Sequence, residues 1–266
     1  MKAALTILAI SLIFYFLVCL LLFLFQEKLI FFPQKLDRNF QFHFDQPFEE
    51  MFIPVEEDVS LHGILFKSEA SRGLVFYLHG NAGSLSSWGG VAKSFTDLNY
   101  DVFILDYRGY GKSSGNISSE RQVFQDVQTA YDTLMKRYPE DHTVVLGYSI
   151  GTGPASKLAA DNHPKLLVFQ APFYSLIDIV KRKFPIIPSF LLKYKFENNK
   201  HLKACTMPVV IFHGDVDEVI YHGSSLKLRE HFKSQDTLIV LKRQGHNGMA
   251  EHADYKRELK RILEKY

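Results

Sequence analysis

The chain has 266 residues, 47% of them hydrophobic and 23% charged, with 31 Lys and Arg against 29 Asp and Glu for a net charge of +2. That composition suits a folded domain and excludes intrinsic disorder, a collagen-like repeat and a cysteine-dense scaffold, since only two cysteines are present. The near-neutral charge also argues against nucleic acid as a main partner, because that binding rests on neutralising phosphates.

Charge is absent from residues 3–25. At about 1.5 Å per residue this run spans roughly 34 Å, enough to cross a hydrocarbon core. It is longer than the apolar region of a cleavable signal peptide and leads into Gln26-Glu27-Lys28 without a small-x-small cleavage site. The expected organisation is a transmembrane anchor at 1–26, a juxtamembrane connection at 27–52 that touches the interface through Leu29 to Phe32, and a folded domain at 53–266. Lys2 lies on one side of the anchor and Lys28, Lys35 and Arg38 on the other, so the side of the membrane is unassigned. Cys19, inside the apolar run, and Cys205, far away in the soluble part, are not expected to pair, and no zinc-type cysteine spacing occurs.

Beyond residue 52 short apolar runs recur at 61–66, 74–78, 102–105, 143–146, 166–169, 209–212 and 238–241. Each is too short for a helix and rich in β-branched or aromatic residues. A helix is expected between them at 119–138, opened by Ser119 and Gln122 as a capping box and carrying Val123, Val127, Ala130, Tyr131 and Leu134 on one stripe. Strand and helix in alternation, with strands apolar on both faces, imply a mostly parallel, doubly wound α/β sheet. Chemistry in such a sheet sits in loops at the carboxyl ends of the strands.

After the run at 143–146 comes Gly147-Tyr148-Ser149-Ile150-Gly151 and then a helix-like stretch at 156–160. Strand, sharp turn and helix form the context of a nucleophile elbow, in which glycines two residues either side of the serine leave room for a strained turn. Gly111-Lys112-Ser113-Ser114-Gly115 is a second formal match, but it lies within a loop and reads as a turn. Ser149 is therefore the expected nucleophile. A serine needs a base, and the base needs an acid that fixes its tautomer. His246, between Gly245 and Gly248 ahead of a terminal helix at 249–266, is the expected base, whereas His213 at a strand end, His79 before Gly80, and His252 on the terminal helix read as structural or surface residues. The acid belongs to the loop His213-Gly214-Asp215-Val216-Asp217-Glu218, where chain order alone admits Asp215 or Asp217, with Asp106 as an outside candidate. For the oxyanion, one backbone amide is expected from Ile150 and the other from His79-Gly80-Asn81-Ala82-Gly83, with Asn81 preferred to Ala82.

His79 to Gly83, Asp106 to Ser113, Gly147 to Gly151, Pro208 to Ile220 and Gly245 to Asn247 together resemble the α/β-hydrolase fold serine hydrolases, from about residue 50 to the end. More narrowly the chain resembles small, often membrane-associated enzymes related to lysophospholipases and acyl-protein thioesterases. In that family the acid stands last in a Gly-x-x-Asp pattern, so the resemblance selects Asp217 and implies a Ser149, Asp217, His246 triad. The stretch at about 172–207, where relatives carry lids, is short and broken by Pro172, Pro185 and Pro188. The expected reaction is hydrolysis of a carboxylic ester or thioester, acyl or lipid-like, with the membrane as partner through the N-terminal helix and with no metal or organic cofactor. A serine peptidase or amidase and a non-catalytic hydrolase-fold binding protein are the alternatives. The sequence does not fix the oligomeric state.

Overall fold

The computed structural model describes residues 1–266. Helix α1 (Lys2–Leu24) precedes an eight-stranded sheet whose strands are β1 (Phe48–Glu56), β2 (Val59–Phe66), β3 (Leu74–Leu78), β4 (Asp101–Asp106), β5 (Thr143–Tyr148), β6 (Leu166–Gln170), β7 (Val209–Gly214) and β8 (Thr237–Leu241). Their spatial order is β8-β7-β6-β5-β3-β4-β2-β1, with β1, β2 and β4 joined antiparallel and every other neighbour parallel. This is the mostly parallel, doubly wound α/β sheet of the α/β-hydrolase fold.

The strands are apolar on both faces because both faces are covered. In β3, Leu74, Phe76 and Leu78 enter one cluster, while Val75 and Tyr77 enter the other; in β4, Phe103 and Leu105 oppose Val102 and Ile104 in the same way. Helices α2 (Glu120–Met135) and α3 (Thr152–Asp161) close the first face through Val127, Tyr131, Leu134, Ala155 and Leu158. The other is closed by α6 (Ala253–Lys265), which follows α4 (Leu176–Lys183) and α5 (Gly223–Arg229) in the chain and buries Tyr255, Leu259, Ile262 and Leu263. At about 1.5–3 kcal/mol for each fully buried large apolar side chain, these two layers are the main stabilising term.

All seven apolar runs are strands, and the stripe Val123, Val127, Ala130, Tyr131 and Leu134 is buried. Ser119 caps α2 by accepting from Gln122 N at 3.1 Å, but the Gln122 side chain accepts from Ser118 N rather than from Ser119, so half of the expected box forms. The terminal helix starts later than expected. His252 is its N-cap, with Nδ1 accepting from Asp254 N, behind a single 3-10 turn at Met249–Glu251.

The largest departure lies at the start of the domain. Strand β1 crosses the expected boundary at 52/53, so the 27–52 segment is not a separate connection. Phe32–Pro33 also pairs in parallel with Ala82–Gly83, and Lys35 bridges to Gly111. Being an edge strand, β1 is half solvated and holds Pro54 beside a bulge, which is why it lacks a continuous apolar run.

Candidate active site

The carboxyl ends of β3, β5 and β7 converge with the loop after β8. Strand β5 ends at Tyr148, and Ser149 sits in the left-handed region at φ 52°, an uncommon conformation for a residue with a side chain. The flanking glycines are required by close approach. A Cβ on Gly151 would lie 2.1 Å from Leu78 O and one on Gly147 2.5 Å from Gly151 O, both rigid backbone atoms. The Thr152 hydroxyl donates to Ser149 O at 2.7 Å and itself accepts from Asn198 Nδ2 at 2.9 Å, so the turn is tied to the start of α3 and to the insertion.

Ser149, His246 and Asp217 are brought together. His246 Nε2 is 3.0 Å from Ser149 Oγ, and His246 Nδ1 is 2.8 Å from Asp217 Oδ2. A carboxylate only accepts, so Nδ1 carries the proton toward Asp217 and Nε2 is left to accept from the serine hydroxyl. All three residues are buried. The backbone around His246 is held by Tyr148 OH donating to His246 O at 2.5 Å and by Gln244 Nε2 donating to Gly245 O and Asn247 O; Gly248 turns the chain at φ 75°.

Asp217 accepts from three donors. Oδ1 accepts from the Val219 and Ile220 amides at 2.9 and 2.8 Å and Oδ2 from His246 Nδ1, while His213 Nε2, which donates to Ile220 O, lies 3.3 Å from Oδ2. Burial works against its charge, yet the neighbouring His213 and His246 rings and the Ile220 amide outweigh it and hold the carboxyl well below the usual carboxylate range. Asp217 is therefore ionised wherever the protein is folded near neutral pH. Asp215, by contrast, accepts from Arg243 N and pairs with Lys242 at the surface, as a turn residue does.

The other candidates have structural partners. His213 is fully buried, receives the Ser225 hydroxyl at Nδ1 and directs Nε2 at Ile220 O and Asp217. His79 Nδ1 donates to Gly80 O at 2.7 Å and its Nε2 faces Asp106 at 3.3 Å; Asp106 accepts from Leu85 N, leaving this acid 0% exposed and remote from His246 contacts. Ser113 bridges His62 N and Asp106 O, so the second Gly-x-Ser-x-Gly is a buried turn. Asn81 lies in the loop against the nucleophile turn, and its N–H has no acceptor within the chain, while Ile150 follows Ser149 directly.

Sequence reasoning missed three contributors. His213 beside the acid, Glu218, whose carboxylate accepts from His246 N at 3.3 Å, and Phe31, which lines a tight apolar pocket of about 10 Å³ with Tyr107, Val123, Ile150, Pro154 and Phe196, gave no motif of their own. Phe31-Phe32-Pro33 nevertheless carried a signal, because the residue before a proline is biased to extended backbone. A second cleft, lined by Lys67, Arg72, Asp101, Arg137 and Tyr138, opens at the opposite, amino end of β4 and holds none of these groups.

Fold and site define a hydrolase of the α/β-hydrolase class. Residues 69–200 match the family described as Serine aminopeptidase, S33. The chain is 32% identical over 216 residues to Protein bem46 of Schizosaccharomyces pombe, covering 75% of this chain and 72% of that protein. It is 32% identical over 197 residues to Alpha/beta hydrolase domain-containing protein 17B of Xenopus laevis, covering 71% of this chain and 65% of that one. Among solved structures, an esterase of Pyrococcus furiosus superposes with a TM-score of 0.70 at 18% identity, covering 89% of this chain and 98% of that chain. Est1E from Butyrivibrio proteoclasticus superposes with a TM-score of 0.63 at 16% identity, covering 81% and 98%. The chain belongs to the α/β-hydrolase family that includes bem46.

Gly151→Ala forces a methyl group against Leu78 O, and overpacking of this kind costs about 1–3 kcal/mol. The expected outcome is a lowered melting temperature together with weakened reaction of Ser149 with a fluorophosphonate probe; a variant that melts and labels like wild type would show that the turn tolerates the clash.

Proposed function

We propose that this hydrolase cleaves a carboxylic ester or thioester of acyl or lipid-like character by way of an acyl-enzyme on Ser149. The observation that carries the reading is the unbroken hydrogen-bond chain from Ser149 Oγ through His246 to the buried, ionised Asp217. Ser149 Oγ attacks the acyl carbon while His246 Nε2 takes its proton, and Asp217 stabilises the imidazolium that results. The negative charge on the former carbonyl oxygen is met by the amides of Asn81 and Ile150. His246 returns the proton to the departing alcohol or thiol. Water, deprotonated by the same nitrogen, then attacks the acyl-enzyme and releases the acid and free Ser149.

The side chains packed around Ile150, namely Phe31, Tyr107, Val123, Pro154 and Phe196, are almost all apolar, which supports an acyl rather than a polar substrate group. Peptide-type amides are the second reading, favoured by the description of the matching family as serine aminopeptidases. The Pyrococcus furiosus neighbour is described as an esterase, at an identity that speaks for fold alone. We further infer that α1 anchors the protein in a membrane. An 18-residue stretch of it has a mean hydropathy of 3.0, and most of its large apolar side chains are exposed, an arrangement that water penalises and lipid does not. The insertion leans on its second half, with Tyr15 OH donating to Ile186 O at 2.6 Å, and carries Phe184, Ile186 and Phe190 exposed behind the basic Lys181-Arg182-Lys183. A substrate presented at that surface would be at high local concentration.

Three outcomes are expected. Fluorophosphonate labelling of the full chain in detergent is lost in Ser149→Ala and kept in Ser113→Ala; loss in neither or in both would remove the assignment. Asp217→Asn lowers kcat by about 10⁴-fold and Asp215→Asn changes it less than about twofold, with acyl esters and thioesters turned over faster than aminoacyl amides, and the reverse preference would favour the peptidase reading. After alkaline carbonate washing the full chain stays with membranes, whereas release into the supernatant would overturn the anchor.

A further inference from the structure

The segment that leaves α1 does not merely connect it to the domain. It runs along the loop His79 to Gly83 and is bonded to it at three points: Phe32 N donates to Asn81 O at 2.8 Å, Gln34 N to Gly83 O at 2.9 Å, and Asn81 Nδ2 to Ile30 O at 3.2 Å. A second pair of bonds, Gly111 N to Gln34 O and Leu36 N to Gly111 O, fixes the far end of the segment on the loop after β4. Its register is set by side chains pointing alternately in and out. Phe31 is buried, edge-on to Tyr194 at 5.2 Å and in the wall of the apolar cavity, whereas Phe32 points outward and is 52% exposed.

These bonds bear on the peptide planes flanking one residue. The plane before Asn81, which carries its N–H, is fixed through Gly80 O by His79 Nδ1, and the plane after it is fixed through Asn81 O by Phe32 N and by Tyr110 OH at 2.7 Å. With glycine at 80 and at 83, φ 88° at the latter, the loop has the backbone freedom to turn the Asn81 amide away from the nucleophile unless both planes are pinned. We propose that Ile30 to Gln34 is a positioning element of the active centre: it aims the Asn81 amide at the oxyanion, so that the stretch emerging from the anchor completes the catalytic geometry. This rests on the reading of Ser149 as nucleophile and of Asn81 as an oxyanion donor. Preorganised donors act through placement, and a misplacement well under an ångström is enough to forfeit much of their effect.

The test isolates one hydrogen. Phe32→Pro removes the N–H that reaches Asn81 O, and Phe31 already has the extended backbone, φ −114° and ψ 127°, that a residue before proline adopts. Phe32→Ala removes the same side chain and keeps the N–H. Both are made in the full chain in detergent micelles and assayed on a soluble short-chain acyl ester, with melting curves recorded. The expected result is that kcat in Phe32→Pro is about tenfold below that in Phe32→Ala with KM within about twofold, and that affinity for an alkylboronic acid, which forms a tetrahedral adduct, falls in step with kcat. Equal kcat and equal boronate affinity in the two variants would overturn the proposal. If Phe32→Pro does not fold, Asn81→Ala decides: it keeps the amide and cuts the bond to Ile30 O, so a fall in kcat at constant KM supports positioning, and wild-type kcat overturns it. Ser149→Ala runs alongside. Turnover surviving in it would overturn the reading of the site and the proposal with it, while turnover abolished in it, with Phe32→Pro and Phe32→Ala alike, would overturn the positioning element alone.

Discussion

The active centre depends on how closely the end of β3 approaches the turn after β5. Strands β3 and β5 are neighbours in the sheet, and the nucleophile turn packs so near Leu78 O that residue 151 has no room for a Cβ. In the same turn Ser149 takes left-handed backbone, and the loop after β3 lies alongside it. Everything else at the site is arranged around that fixed point. The two hydrophobic layers above and below the sheet supply the stability that holds such strain in place.

Electrostatics complete what packing starts. A buried carboxylate is costly unless its lone pairs are filled, and Asp217 fills them with two backbone amides and the His246 imidazole, with a second imidazole, His213, 3.3 Å away. Its bond to Nδ1 orients the His246 ring, and on its other side stands His213, itself anchored to Ser225 and Ile220. The same logic explains why Asp215, two residues earlier and half-buried, binds only the Arg243 amide and a surface lysine. Spacing along the chain left these two aspartates equivalent, and their surroundings separate them.

The elements most legible in the sequence were those with continuous apolar character or sharp turn chemistry. Strands β2 to β8 and the stripe of α2 follow from burial on both faces or on one, and the neighbourhood of Ser149 follows from the glycines that a crowded turn demands. Strand β1 was illegible because an edge strand with Pro54 and exposed Glu49 shows neither alternation nor an apolar run. The parallel pairing of Phe32–Pro33 with Ala82–Gly83 was illegible for a different reason: it is two residues long and is specified by main-chain bonds to a loop distant in sequence, which no periodicity records. His213 is a satisfied strand-end histidine, held by Ser225 and Ile220, and its approach to Asp217 arises only when the loop at 214–220 folds back.

The central claim is that Ser149 becomes acylated during turnover. The direct measurement is a pre-steady-state reaction of the full chain with an activated acyl ester, quenched and read by intact mass and by the mass of the peptide containing Ser149. The account predicts a burst of released alcohol approaching one per protein, with the acyl mass on Ser149 and no adduct in Ser149→Ala. Steady turnover without an adduct, or an adduct that persists in Ser149→Ala, would contradict it.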